Sequence, residues 1–92
     1  MKIRVEYVAQ IKDVAGRPGE VLEVPADTSV LDLLRSVART RGERLRGLLL
    51  DAAGGLRPSA LVLVGDEQFE AGQPQPLRDG DTVTIMSPLA GG

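Results

Sequence analysis

Hydrophobic and polar residues alternate at the start of the chain. Ile3, Val5 and Tyr7 fall on one side, and Lys2, Arg4 and Glu6 on the other. A period of two with β-branched residues predicts a half-buried strand over residues 2–9. Residues 13–19 contain Gly16, Pro18 and Gly19, which predicts a turn. Residues 20–24 read as a second strand with Leu22 and Val24 on one face, ended by Pro25, which has no N–H for a ladder. The two strands with their short connection predict an N-terminal hairpin.

The period then changes. Val30, Leu33, Leu34, Val37 and Ala38 follow the i, i+3, i+4, i+7, i+8 spacing of one helix face, with Asp32, Arg35, Ser36 and Arg39 opposite. Ser29 is suited to the N-cap and Asp32 to the positive end of the helix dipole. Gly42 follows Arg39 and Arg41, as expected just past a C-terminus. These signals predict a helix over residues 30–41. Residues 43–51 are ambiguous: Leu45, Leu48 and Leu49 fit a short helical turn, and Leu48, Leu49 and Leu50 fit a short strand equally well. A loop with Gly54, Gly55 and Pro58 follows. Residues 60–64 are continuously apolar, the pattern of a strand covered on at least part of both faces. Gly65-Asp66 marks a turn, 67–70 a short edge strand, and Asp79-Gly80-Asp81 a tight turn. The last strand is expected over 82–86, with Val83 and Ile85 inward and Thr82 and Thr84 outward.

The order β-β-α-β-β-β predicts an α+β fold, a mixed sheet of four to five strands crossed by one main helix. That order is the β-grasp, or ubiquitin-like, arrangement. The expected organisation is one domain over residues 1–86 and a flexible tail over 87–92.

Composition narrows the chemistry. The 92 residues include 11 basic and 13 acidic side chains, a net charge of −2, with Tyr7 and Phe69 the only aromatics. Neither a clustered basic face nor a base-stacking platform is implied, so nucleic acid is not an expected partner. No apolar run approaches the roughly 18–20 residues of a membrane span, and residues 1–6 interleave charge with apolar groups unlike a signal peptide. Neither a membrane nor export is expected, and the cytoplasm is the default compartment. The chain has no Cys and no His. A thiolate nucleophile, a Cys-type zinc site, an iron–sulfur cluster and the commonest general base are therefore all excluded.

The remaining candidate is the C-terminal Gly91-Gly92. On its own the dipeptide is equally a tail of small residues. Its position sharpens the reading, because only Ser87 to Ala90 separate it from the last strand. A tail that threads a narrow channel needs backbone freedom and a tip without side chains. The carboxyl of Gly92, with an ordinary pKa of about 3.3–3.7, is ionised at neutral pH. Such a carboxylate can attack the α-phosphate of ATP to give an acyl-adenylate. The carrier then supplies only reach, and a partner supplies the catalytic groups.

The stretch from Leu77 through Asp79-Gly80-Asp81, Thr82-Val83-Thr84-Ile85 and Pro88 to Gly91-Gly92 resembles the end of the MoaD/ThiS sulfur-carrier family. Residues 5–16 and 28–34 resemble that family's first strand and helix start. The turn Val64-Gly65-Asp66-Glu67 lacks the Asn of many relatives. Length and this turn fit the molybdopterin-type and the cysteine-biosynthesis (CysO-like) carriers, while thiamin carriers are usually shorter. The resemblance implies that an adenylating enzyme of the ubiquitin-activating type converts Gly92 to an acyl-adenylate, using ATP, with no cofactor held permanently by the chain itself. Sulfide would displace AMP to leave a thiocarboxylate. A second partner, such as a molybdopterin synthase large subunit or a cysteine synthase, would take the sulfur. In this scheme Gly91 and Ala90 give clearance, and Leu89 and Pro88 line the mouth of the partner's channel. Conjugation of Gly92 to lysines of other proteins is an alternative outcome of the same activation. A β-grasp module that binds without covalent chemistry is another.

Other clusters have plainer readings. Asp79 and Asp81 fit a tight turn better than a metal site, since a hard cation needs more oxygen ligands. Asp66, Glu67 and Glu70 fit a solvated edge. The stretch Arg35, Arg39, Arg41, Arg44 and Arg46 fits a solvated helix face, with an acidic partner the minor alternative. Val8, Phe69, Met86 and Leu89 are candidates for an apolar docking patch beside the tail, and each is equally suited to the core.

Overall fold

The computed structural model describes residues 1–70, 72–73 and 75–87. Its elements run β1 (Lys2–Ala9), α1 (Gln10–Ala15), β2 (Gly19–Glu23), α2 (Val30–Arg41), α3 (Glu43–Leu49), β3 (Leu61–Val64), β4 (Glu67–Gln68) and β5 (Thr82–Ser87). The strands form one mixed sheet in the order β2-β1-β5-β3-β4. β1 pairs antiparallel with β2 and parallel with β5. β5 pairs antiparallel with β3. The first and last strands are therefore central neighbours, and the edges fall to β2 and the two-residue β4.

The alternation in β1 and β5 explains the packing. Ile3, Val5, Tyr7, Val83 and Ile85 are buried, as is Val62 of β3. They form one core cluster with Val30, Leu33, Leu34, Val37 and Ala38 of α2 and Leu45 and Leu49 of α3. α2 begins in a full capping box. Ser29 Oγ accepts from the Asp32 N–H at 3.1 Å, and the Ser29 N–H donates to Asp32 Oδ2 at 3.4 Å. This satisfies two of the N–H groups that a helix start leaves open.

Two sequence expectations need correction, and one ambiguity is resolved. The segment between the first two strands is not only a turn, since α1 occupies residues 10–15 with Ile11 fully buried. Six residues hold too few turns of helix for a periodic signal. Residues 43–49 are helix, and the chain then joins an isolated bridge between Leu50 and Leu56. The leucine run thus serves both elements in turn. Finally, Ser87 was expected in the tail but belongs to β5, where it pairs with Ala9 and is buried.

The Asp79-Gly80-Asp81 turn sets the start of the parallel ladder. Gly80 adopts φ +88°, which costs a glycine little. Its N–H donates to the Lys2 carbonyl at 2.8 Å, and the Arg4 N–H donates to the Asp81 carbonyl at 3.0 Å. Asp79 Oδ1 accepts from the Lys2 N–H at 2.7 Å, and Asp81 Oδ2 from the Arg78 N–H at 2.8 Å. Both carboxylates are thus occupied in building the turn. Asp79→Ala should lower stability by about 1 kcal/mol, since it removes a charge-assisted hydrogen bond at an exposed site. A urea denaturation midpoint that does not move would remove the turn from this role.

A second polar network ties α2 to the hairpin. The Tyr7 hydroxyl donates to Glu20 Oε2 at 2.5 Å, and Arg41 Nη2 donates to Glu20 Oε1 at 3.1 Å. Arg41 Nε lies 3.1 Å from Oε2, close enough for ion pairing but off-axis for a hydrogen bond. Arg17, more exposed, stands 3.7 Å from the same carboxylate. Burial, followed by the hydrogen bond to Glu20 and the Glu20 charge, pushes the Tyr7 phenol far above its ordinary value near 10. Arg41 and Arg17 oppose this weakly. Above pH ~10 the unfolded chain loses this proton while the folded chain keeps it. Tyr7 therefore leaves stability unchanged below pH ~10 and lowers it by up to about 1.4 kcal/mol per pH unit above. Denaturation midpoints between mildly and strongly alkaline pH should show this decline, and Tyr7→Phe should remove it.

Candidate functional site

The sheet has one face against the helices and one face open. On the open face the ladder places Val8, Met86 and Leu61 in one row: Val8 pairs with Met86, and Met86 with Leu61. Directly opposed residues point to the same side of a sheet. Val8 is 36% exposed, and Met86 and Leu61 are half-buried. The next row, Glu6, Thr84 and Leu63, is more polar, and the row after it is Val21, Arg4 and Thr82, with Val21 exposed. Along β1 this face changes from the charged Lys2, Arg4 and Glu6 to the apolar Val8, while Val21 on the edge strand is an exposed apolar exception. The apolar end is where β5 finishes at Ser87 and the chain continues into residue 88.

Pro88, Leu89, Ala90, Gly91 and Gly92 lie outside the described residues. Of the other proposed patch residues, Val8 and Met86 are brought together and Phe69 is not. Phe69 is 4% exposed, belongs to the core cluster, and donates its N–H to the Val62 carbonyl at 2.8 Å. Its expected place in the patch is corrected on that ground. The continuous apolar run at 60–64 suggested cover on at least part of both faces. Val62 is buried against the helices, and Leu61 and Leu63, half-buried, stand on the open face and extend the patch. Two large apolar residues at the alternate positions of β3 were the available signal.

Beside this row the backbone is strained. Ala9, the last residue of β1, has φ +57° and ψ −131°, and it is the only non-glycine with positive φ among the described residues. A residue with a Cβ is costly there, by about 1–3 kcal/mol. Ala9 pairs with Ser87, so the strain sits at the junction of β1, α1 and the end of β5. It turns the chain sharply enough for α1 to pack on both β1 and β5. Nothing in the residue pattern announced it.

Val8, Met86 and Leu61 themselves offer no nucleophile or base. Among the described residues no group of three His, Cys, Asp or Glu is placed to hold a metal ion. No helix there is long and apolar enough to cross a membrane. What the arrangement offers is an apolar surface at the end of the sheet from which the C-terminal segment continues.

The ThiS family model matches residues 5–92. The chain belongs to the ThiS family. A curated relative of this ThiS-family chain is small archaeal modifier protein 3 of Haloferax volcanii, 30% identical over the full length of both chains. Among solved structures, Urm1 from Trypanosoma brucei is 30% identical with a TM-score of 0.79, covering 99% of this chain and 95% of that one. SAMP1 from Haloferax volcanii is 23% identical with a TM-score of 0.84 over the whole of both, a likeness of fold. The β-grasp expectation holds. The chain is a small ubiquitin-like carrier or modifier protein rather than an enzyme in itself.

Replacing Ala9 by Gly should relieve the strain. The gain exceeds the entropy that glycine loses on folding, leaving a net stabilisation of about 1 kcal/mol. Thermal denaturation checks this, and a lower melting temperature for Ala9→Gly would show that the backbone there is unstrained.

Proposed function

We propose that this chain acts by its C-terminus as a sulfur carrier. An adenylating enzyme docks on the open sheet face and activates the Gly92 carboxylate with ATP. Sulfide then displaces AMP to leave a thiocarboxylate for a sulfur-accepting enzyme in cofactor (molybdopterin) or cysteine biosynthesis. The observation that carries the reading is the Val8–Met86–Leu61 row. It stands at the end of the sheet from which residues 88–92 continue, in a chain of the ThiS family. An apolar row at the end of an exposed sheet face gives a partner a place to grip. Gly91 and Gly92 give it a tip without side chains, and Pro88, Leu89 and Ala90 span the distance between. The lack of Cys and His is consistent with the partner supplying the catalytic groups.

The test is to incubate the chain with ATP, an adenylating enzyme and a sulfur source, and to weigh the intact protein. A mass gain of sulfur for oxygen at Gly92 is expected, and its absence where a control carrier reacts overturns the reading. Deleting Gly92 should abolish the gain without shifting the melting temperature. Met86→Asp should raise KM for the chain in the adenylation step by about tenfold, with little change in fold.

A second reading is isopeptide conjugation of Gly92 to lysines of other proteins. The name of the 30%-identical relative, a modifier protein, favours it. Adducts in lysate that carry this chain and vanish on deletion of Gly92 would establish it.

A further inference from the structure

Val21 is the most exposed large apolar side chain among the described residues, at 57%. It stands in the middle of β2, which ends the sheet. The Tyr7 N–H donates to the Pro18 carbonyl, and the Val24 N–H to the Met1 carbonyl. The Met1 ammonium donates in turn to the Val24 carbonyl. The even-numbered residues of this strand therefore bond inward to β1. Gly19, Val21 and Glu23 turn their N–H and C=O groups outward, because bonded and non-bonded pairs alternate along an antiparallel ladder. Edge strands are commonly blunted by proline, lysine or a bulge. β2 has no proline or lysine, and its register with β1 runs without a bulge.

Two such edges fit one another in only one register. In an antiparallel pair of β2 strands, hydrogen bonds form only where outward-turned residues oppose outward-turned residues. A pair centred on Glu20 sets the two Glu20 carboxylates directly opposite, which is unfavourable. A pair centred on Leu22 sets Gly19 against Pro25, which has no N–H and whose carbonyl already accepts from the Thr28 N–H. A pair centred on Val21 has neither fault. It matches Val21 with Val21 and Gly19 with Glu23, so the outward groups of all three residues gain partners. Each carboxylate then faces an uncharged residue, Glu23 opposite Gly19 and Glu20 opposite Leu22. Glu20 also keeps its own Arg41 and Arg17. The Cα atoms of the two Arg4 residues, the β1 neighbours of Val21, end about 14 Å apart, beyond the roughly 8–10 Å screening length.

We propose that β2 is a self-docking edge, through which two copies of this chain pair antiparallel about a two-fold axis at Val21 to form one continuous sheet. The contact is isologous and closes at two copies. The axis is perpendicular to the sheet, so both open faces lie on the same side and the two Val21 side chains meet there. The Val8–Met86–Leu61 row crosses β1, β5 and β3, away from the paired edge. It stays open in both copies, and the dimer presents two such rows on one side. The strand offers 5 residues from each copy. That is well short of the roughly 20–30 residues a side of a stable interface. The dimer is therefore weak and forms in proportion to concentration.

The test follows the full chain by sedimentation velocity and amide NMR from about 10 μM to about 1 mM. A fast monomer–dimer equilibrium is expected, with the Val21 and Glu23 amide resonances shifting as the dimer fills. Val21→Lys should raise the dissociation constant at least about tenfold with the melting temperature unchanged. The chain has no cysteine of its own, so single cysteines report the register. In the proposed pair the two Val21 Cα atoms are about 5.5 Å apart, within disulfide range. The two Glu23 Cα atoms are about 14 Å apart, outside it. Val21→Cys should therefore cross-link at least about tenfold faster than Glu23→Cys under the same oxidant. A chain that stays monomeric throughout, a Val21→Lys variant that dimerises as tightly as the parent, or equal cross-linking of the two cysteine variants would each overturn the proposal. So would a monomeric chain whose Val21 and Glu23 amides shift only with an added extended peptide, which gives the edge to a foreign strand.

Discussion

The parallel pairing of β1 with β5 is the contact on which the rest of the molecule depends. It joins the start and the end of the chain in the middle of the sheet, and both helix-facing rows of the core are laid along it. A parallel pair needs a long crossover, and the chain supplies one through α2, α3 and β3. Its register decides which side chains face the helices. A slip of one residue would send Val83 and Ile85 to solvent and bring Thr82, Thr84 and Met86 inward. The turn at 79–81 prevents this by bonding to the backbone of Lys2 and Arg4 before the ladder begins.

The same register builds the open face. Met86 comes between Val8 and Leu61 only because β5 lies between β1 and β3. The patch is thus assembled from three distant segments, and the position of its apolar end follows from the direction of β5. At the other side of the sheet, the Tyr7–Glu20–Arg41 network holds the last turn of α2 against the hairpin. Tyr7 is central to both layers, with its ring in the core and its hydroxyl on a half-buried carboxylate. A partly buried ion pair of this kind costs stability when broken, because removing one partner leaves the other short of its counter-charge.

Much of this was legible in the residue pattern. The helix at 30–41 was marked by periodicity, by a Ser-Asp capping pair and by a closing glycine, and these agree because each answers a separate demand of helix geometry. The alternation of β1 and β5 gave their faces. Where reading failed, the cause was tertiary. α1 is too short for its one buried residue, Ile11, to show a period, and its path depends on the strained Ala9. Phe69 follows a two-residue edge strand, too brief to reveal which side its neighbours face. Ser87 is polar and precedes a proline, which looks like a tail, yet the ladder with Ala9 keeps it in the sheet. The apolar C-terminal row could be suspected from Val8 and Met86, but Leu61 joined it only through the pairing of β3.

Pairing the first strand with the last also has a consequence for folding. Residues such as Val5 and Val83 meet across nearly the whole chain, so the central ladder closes only after the loop between them is ordered, a high-contact-order step. During synthesis, β1 waits without its parallel partner until the final strand has left the ribosome. A chain cut short before β5 has no central pair, no register for the core, and no Met86 row. Closing the central ladder and assembling the open-face row around Met86 are therefore a single event, and a chain cut short before β5 has neither.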